Sequence, residues 1–163
     1  MDRVVKMSDR IYVTKRNGER VPVSFNEVLT RIQKLADGLL HVNCDLVAQK
    51  VCTQIQDGIK TSELDEFAAE VCAMMQARFH PNYGKLAARL VIDNHQKKTP
   101  SLFSECVDRL ALDKVLSEEF AWSVAQNRVA LDAMCVYQRD FMFDYFGFKT
   151  LENGYMLRTR DGK

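Results

Sequence analysis

The stretch "VTKRNGERVPVSFNEV", residues 13–28, decides how the chain begins to fold. Its opening, with Ile11 and Tyr12, is β-branched or aromatic and predicts a strand over 11–16. Asn17-Gly18 follows, a pair that tolerates the positive φ of a two-residue type I′ hairpin turn. The return strand is expected over 19–25. Pro22 has no N–H to give to a ladder, so that strand belongs at a sheet edge. Asn26 is the expected N-cap of a helix. Two cations, Lys15 and Arg16, thus sit on a turn that leads directly to a helix N-terminus.

Outward from this stretch the pattern is helical. Val28, Ile32, Leu35 and Leu39 recur at helical spacing, with Gly38 near the end. A second helix is expected over 44–57, with Val47, Val51 and Ile55 on one face and Asp57-Gly58 as its stop. "TSELDEFAAEVCAMMQARF" predicts a third helix from 61. Ser62 and Asp65 have capping-box spacing, and Leu64, Phe67, Ala68, Val71, Met74 and Met75 form its expected buried stripe. His80-Pro81 breaks it. "NYGKLAARLVIDNHQKK" predicts a fourth helix with Leu86, Leu90 and Val91 inward. Thr99-Pro100-Ser101 reads as a boundary. Shorter helices are expected over 102–110, 112–125 and 128–136. An aromatic tail follows, dense enough to require burial against further structure.

Composition narrows the function classes. The chain has 163 residues, 47% of them apolar, and a net charge of +1. That is one domain, or a small domain plus part of another, with too little surplus charge for bulk nucleic-acid binding. No apolar run reaches the roughly 18 residues of a membrane span. Residues 1–10 read as a flexible N-terminus without the apolar centre of a secretory signal. Five cysteines in no CxxC pair argue against zinc or dithiol chemistry, and the odd count fits a reducing cytoplasm; they read as buried packing thiols. His41, His80 and His95 fall on separate elements and read as surface or capping residues. No catalytic constellation, metal motif or Gly-rich phosphate loop is present. What remains reads either as solvated surface charge or as a local anion site. Lys15, Arg16 and Lys97 are its cations, the helix starts near 21–27 and 61–65 supply N–H groups, and a carboxylate is placed for sugar hydroxyls.

Three segments, "VTKRNGERVPVSF", "GIKTSELDEFAAEV" and "PNYGKLAARLVI", resemble in that order the ATP-cone. This is the regulatory nucleotide-binding domain of class I ribonucleotide reductase large subunits. "RDFMFDYFGFKTLENGYMLR" resembles the start of the helical region that follows it in the eukaryotic-type enzymes. The resemblance covers about residues 11–163. It implies a mostly α fold with a small β-hairpin cap: a cone of four helices capped by short strands over 11–99, then the truncated start of the helical region over 100–163. It also implies a switch in which ATP permits turnover and dATP stops it by changing subunit assembly. By position, Lys15, Arg16 and Lys97 take the phosphates, with Mg²⁺ as their companion. Val21, Pro22, Val23, Ser24, Phe25, Asn26 and Glu27 line the nucleotide, Thr61 is a site threonine, and Asp65 takes part in recognition. Val28 replaces a larger aliphatic residue that packs on the base.

The family's radical and redox cysteines lie beyond the aligned region, and none of the five here matches them. The chain alone is therefore expected to be inactive and to carry no redox cofactor. The radical comes from a separate small subunit, and the large subunit forms dimers or higher oligomers. The family's usual run is close to "KRDGxxERxxFDKI". Here Asn17, Val21, Pro22, Asn26 and Glu27 depart from it, and Glu27 puts a carboxylate where the family has a lysine. Two readings stay open: an ATP/dATP switch, or a cone with weak or no nucleotide binding that serves subunit contacts.

Overall fold

The computed structural model describes residues 11–160 and Gly162; the expectation for residues 1–10 lies outside them. The chain divides within one long helix into two compact units, ending at Ala87 and beginning at Ala88.

The first unit opens with β1 (Tyr12–Thr14) and β2 (Arg20–Pro22), paired antiparallel with Val13 opposite Val21. The connection is not a two-residue type I′ turn. Lys15 N donates to Glu19 O and Gly18 N to Lys15 O, both at 2.9 Å, so three residues form the loop. Gly18 carries positive φ (85°), whereas Asn17 does not. This is the longer hairpin solution, a β-turn closed by a left-handed glycine, and only one residue has to leave the ordinary φ range. Pro22 ends the outer strand, as its missing N–H requires. The inner edge of β1 is occupied. Gly58 N donates to Tyr12 O (2.8 Å), Thr14 N donates to Ile59 O (2.9 Å), and Thr14 bridges Lys60 in parallel. Asp57 fixes this junction, accepting from Tyr12 N (2.8 Å) and from Arg20 Nη2 (2.9 Å).

Helices α1 (Phe25–Leu35), α2 (Cys44–Cys52) and α3 (Thr61–Gln76) pack in succession. Val28, Ile32 and Leu35 are buried as their spacing predicts. The cap of α1 is Ser24, not Asn26; Ser24 is extended, and its carbonyl accepts from Glu27 and Val28. α2 stops at Cys52, short of the expected 57, because the chain must straighten to pair Gly58–Lys60 with β1. Ile55 stays buried beyond the helix end. α3 is not capped by Ser62 and Asp65. It starts at Thr61 as expected, but its cap is Lys60, two residues before Ser62, and the Lys60 N–H donates to Glu63 (3.3 Å). Its buried face holds Asp65, Ala68, Val71, Cys72 and Met75, and Met74 points to solvent at 73% exposure. α4 (Asn82–Lys98) runs through the division, with Leu86, Leu90 and Val91 buried as expected. His80 caps its start, accepting from Asn82 N through Nδ1 (3.1 Å), and the Tyr83 hydroxyl accepts from Asn43 N.

In the second unit α5 (Phe103–Leu112), α6 (Glu118–Gln126) and α7 (Arg128–Met134) pack on one another. α6 starts later than expected: Lys114 turns the chain at φ 58°, and Ser117 then accepts from Phe120 N. Asp132 on α7 closes the start of α5, accepting from Ser104 N (2.8 Å) and Ser104 Oγ (2.7 Å). These bonds hold its carboxyl below the usual range. A 3₁₀ helix (Tyr137–Met142) and α8 (Tyr145–Gly154) complete the unit. Of the tail's aromatic rings, Phe148 is buried, whereas Phe146 and Tyr155 are exposed. His95 is not a surface or capping residue. It lies edge-on to Phe148, and its Nδ1 is 3.4 Å from Glu152, whose other oxygen takes Lys149 at 2.6 Å.

The bond to His95, then Lys149, holds the Glu152 carboxyl down to about 2 from an ordinary 4.5. A depressed carboxyl stabilises the fold above its unfolded pKa, and that stability is lost as pH falls through the folded one. Solvent screening reduces the contribution to about 1–2 kcal/mol. Glu152→Gln should lower stability by that amount at pH 6, and the gap to wild type should close between pH 4.5 and about 2 in urea titrations. A gap independent of pH would contradict this assignment.

Candidate functional site

The hairpin brings its cations to the start of α3 because β1 is hydrogen-bonded to the segment that enters that helix. Arg16, on the turn, reaches Asp65 in the second turn of α3, with Nη2 3.7 Å from Oδ2. Asp65 is buried, 8% exposed. Its main partner is a residue the sequence analysis missed: Arg31 on α1 donates through Nε to Oδ1 (3.2 Å) and through Nη2 to Oδ2 (3.0 Å). Sequence spacing could not reveal this pair, because it joins two helices 34 residues apart. Arg31 lies one helical turn beyond Glu27, so a cation is present on α1 although position 27 carries a carboxylate.

The remaining predicted residues fall as follows. Lys15 is exposed on the turn and ion-paired with Glu19 at 3.3 Å. Val21 and Val23 are half-buried; Pro22, Ser24, Asn26 and Glu27 are exposed. Phe25 opens α1 and is 42% exposed. Thr61 is the first residue of α3 and half-buried. Lys97 belongs to the second unit, where Asp93 pairs with it at 2.7 Å one turn earlier on α4. The structure thus joins Arg16 and Asp65 directly and links the 12–14 strand to the start of α3.

Neither helix start here is closed by its preceding side chain. Ser24 makes no side-chain cap bond, and Lys60 has no side-chain acceptor. The dipoles of α1 and α3 favour an anion at these two helix starts. Glu27, in the first turn of α1, favours the helix dipole but opposes a polyphosphate. The thiols offer no nucleophile to such a site. Cys72 is buried, and its pKa is pushed up to about 12 by that burial. The other four are half-buried rather than buried as expected, with Cys44, Cys52 and Cys106 also raised by burial. No helix among the described residues is long and apolar enough to cross a membrane.

Comparison with known proteins matches these elements to a described domain. The family model for the ATP cone domain matches residues 11–98. The ribonucleoside-diphosphate reductase large subunit of Arabidopsis thaliana is 42% identical over 161 residues, which is 92% of this chain and 20% of that protein. Large chain 2 of the Saccharomyces cerevisiae reductase is 40% identical, over 91% of this chain and 18% of its own. The large subunit of Monkeypox virus is 38% identical, over 93% and 21%. The chain spans about a fifth of the length of these curated relatives.

The two arginines at Asp65 differ in burial, so their removal should differ in cost. Arg31→Met leaves a buried carboxylate with one loose partner and should destabilise the fold by about 2–4 kcal/mol. Arg16→Met removes the looser of the two pairs at Asp65 and should cost less than about 1 kcal/mol. Urea denaturation of both variants checks this; equal losses, or the reverse order, would contradict it.

Proposed function

The chain belongs to the ATP-cone family, and we propose that its residues 11–99 bind ATP as an activator and dATP as an inhibitor of a ribonucleoside-diphosphate reductase large subunit. Residues 100–163 are then the start of that subunit's helical region. The observation that carries this reading is the meeting of Arg16 and Asp65 at 3.7 Å, inside the matched residues. On this reading Lys15 and Arg16 hold the phosphates. Residues 21–27 line the nucleotide, and Thr61 and Asp65 take part in recognition. Mg²⁺, which prefers phosphate oxygens, accompanies the triphosphate. The full-length protein works with a radical-generating small subunit and as a dimer or larger assembly in the cytoplasm. This chain by itself reduces no ribonucleotide.

Regulation needs more than binding. ATP and dATP must prefer different assemblies, because a ligand with equal affinity for two states shifts neither. A second reading, a cone with weakened nucleotide binding kept for subunit contacts, is favoured by two specific features. Glu27 stands in the first turn of α1, and Lys15 is already paired with Glu19.

Calorimetry with ATP and dATP on this chain separates the two readings: saturable binding supports the switch, and none supports the contact module. Glu27→Lys reverses a charge beside the proposed phosphates and should raise affinity at least about tenfold, roughly 1.4 kcal/mol. Most of that gain should fade in high salt. A lysine variant with no gain at low salt would remove Glu27 from the site.

A further inference from the structure

We propose that Asp65 is an internal counter-ion that competes with bound polyphosphate for Arg16, and that Arg31 is the positioning residue that makes the exchange possible. This rests on the nucleotide-binding reading and adds how the site is tuned. Both oxygens of Asp65 are engaged by the Arg31 fork, at 3.2 and 3.0 Å. Arg16 approaches one of the same oxygens at 3.7 Å, too far for a directed hydrogen bond but close enough for attraction. The side chain of Arg31 is 23% exposed and that of Arg16 35%, so the looser partner is also the more accessible.

Two guanidinium groups share one carboxylate. Arg31 neutralises Asp65 whatever Arg16 does. Arg16 can therefore leave the carboxylate without stranding a buried charge. A phosphate offers it two parallel, charge-assisted hydrogen bonds that its present geometry with Asp65 lacks. Weakening the Arg31 fork would reverse this: Asp65 would draw Arg16 in and hold it. Lys15 repeats the arrangement in the open, resting on the exposed carboxylate of Glu19 at 3.3 Å.

The counter-ion role and a direct ligand role predict opposite signs. If Asp65 only binds the nucleotide, neutralising it leaves inorganic polyphosphate binding unchanged. If it competes for Arg16, neutralising it strengthens that binding. The probe is inorganic tripolyphosphate, titrated calorimetrically at low salt into the full chain, with thermal melts confirming that each variant is folded. Asp65→Asn should bind at least about threefold tighter than wild type, the scale of a partly exposed ion pair. That gain should vanish in Asp65→Asn combined with Arg16→Gln. Arg31→Lys, which keeps the charge and loses the fork, should bind more weakly than wild type. Equal or weaker binding by Asp65→Asn, or a gain that survives loss of Arg16, overturns the proposal. If Asp65→Asn does not fold, Arg31→Lys decides, and unchanged or tighter binding overturns it. Tripolyphosphate binding by Asp65→Asn without ATP binding by wild type would uphold the counter-ion role and sink the switch. Binding by no variant would sink both.

Discussion

The Asp65 carboxylate constrains the first unit more than any other single group. A buried carboxylate costs several kcal/mol unless it is paired and hydrogen-bonded, and Asp65 meets that requirement with Arg31 from α1 and Arg16 from the hairpin turn. Three segments distant in sequence must therefore arrive together: the turn at 15–18, the second turn of α1 and the second turn of α3. The backbone enforces the same meeting independently. β1 is bonded on one edge to β2 and on the other to the segment entering α3, with Asp57 clasping Tyr12 and Arg20. The charge cluster sits at the end of this junction, so positions that bear on an anion are held by structure on two sides.

That agreement between backbone and charge bears on how a nucleotide would be sensed. A polyphosphate arriving at the turn meets cations that already rest on carboxylates, Arg16 on Asp65 and Lys15 on Glu19. On the proposed reading, binding is then an exchange of partners rather than the filling of a bare positive pocket. Such an exchange would be sensitive to small changes in neighbouring charge, and Glu27 is exposed at the start of α1. It would also give a physical route from ligand to fold: release of Arg16 would alter the pairing of α3 with the hairpin, while Arg31 keeps α1 and α3 joined.

Much of this was legible in the sequence, for reasons that particular residues make clear. Val28, Ile32 and Leu35, and later Leu86, Leu90 and Val91, repeat at helical spacing, and burial follows that repeat. Pro22 at the sheet edge follows from a missing donor. The misses arose where tertiary contacts override local preference. Asn26 and Ser62 are good caps by composition, but Ser24 and Lys60 precede the helices, because the strand junction fixes where α1 and α3 begin. α2 ends early for the same reason. Asn17-Gly18 favours a two-residue turn, whereas the register of Val13 with Val21 leaves three residues to bridge. Arg31 was illegible because a salt bridge between two helices leaves no periodic trace. The resemblance placed Arg16 and Asp65 in one site, and the structure supplied their contact and the Arg31 fork on the same carboxylate.

The central claim is that nucleotide binds where the hairpin turn, the α1 start and the α3 start converge. Backbone amide NMR of this chain, titrated with dATP and Mg²⁺, tests it most directly. The account predicts saturable shifts concentrated in residues 15–28 and 61–65 and in the Arg31 side-chain Nε–H, with the amides of α5 to α7 unmoved. Saturable shifts centred elsewhere, or none at millimolar dATP, would contradict it.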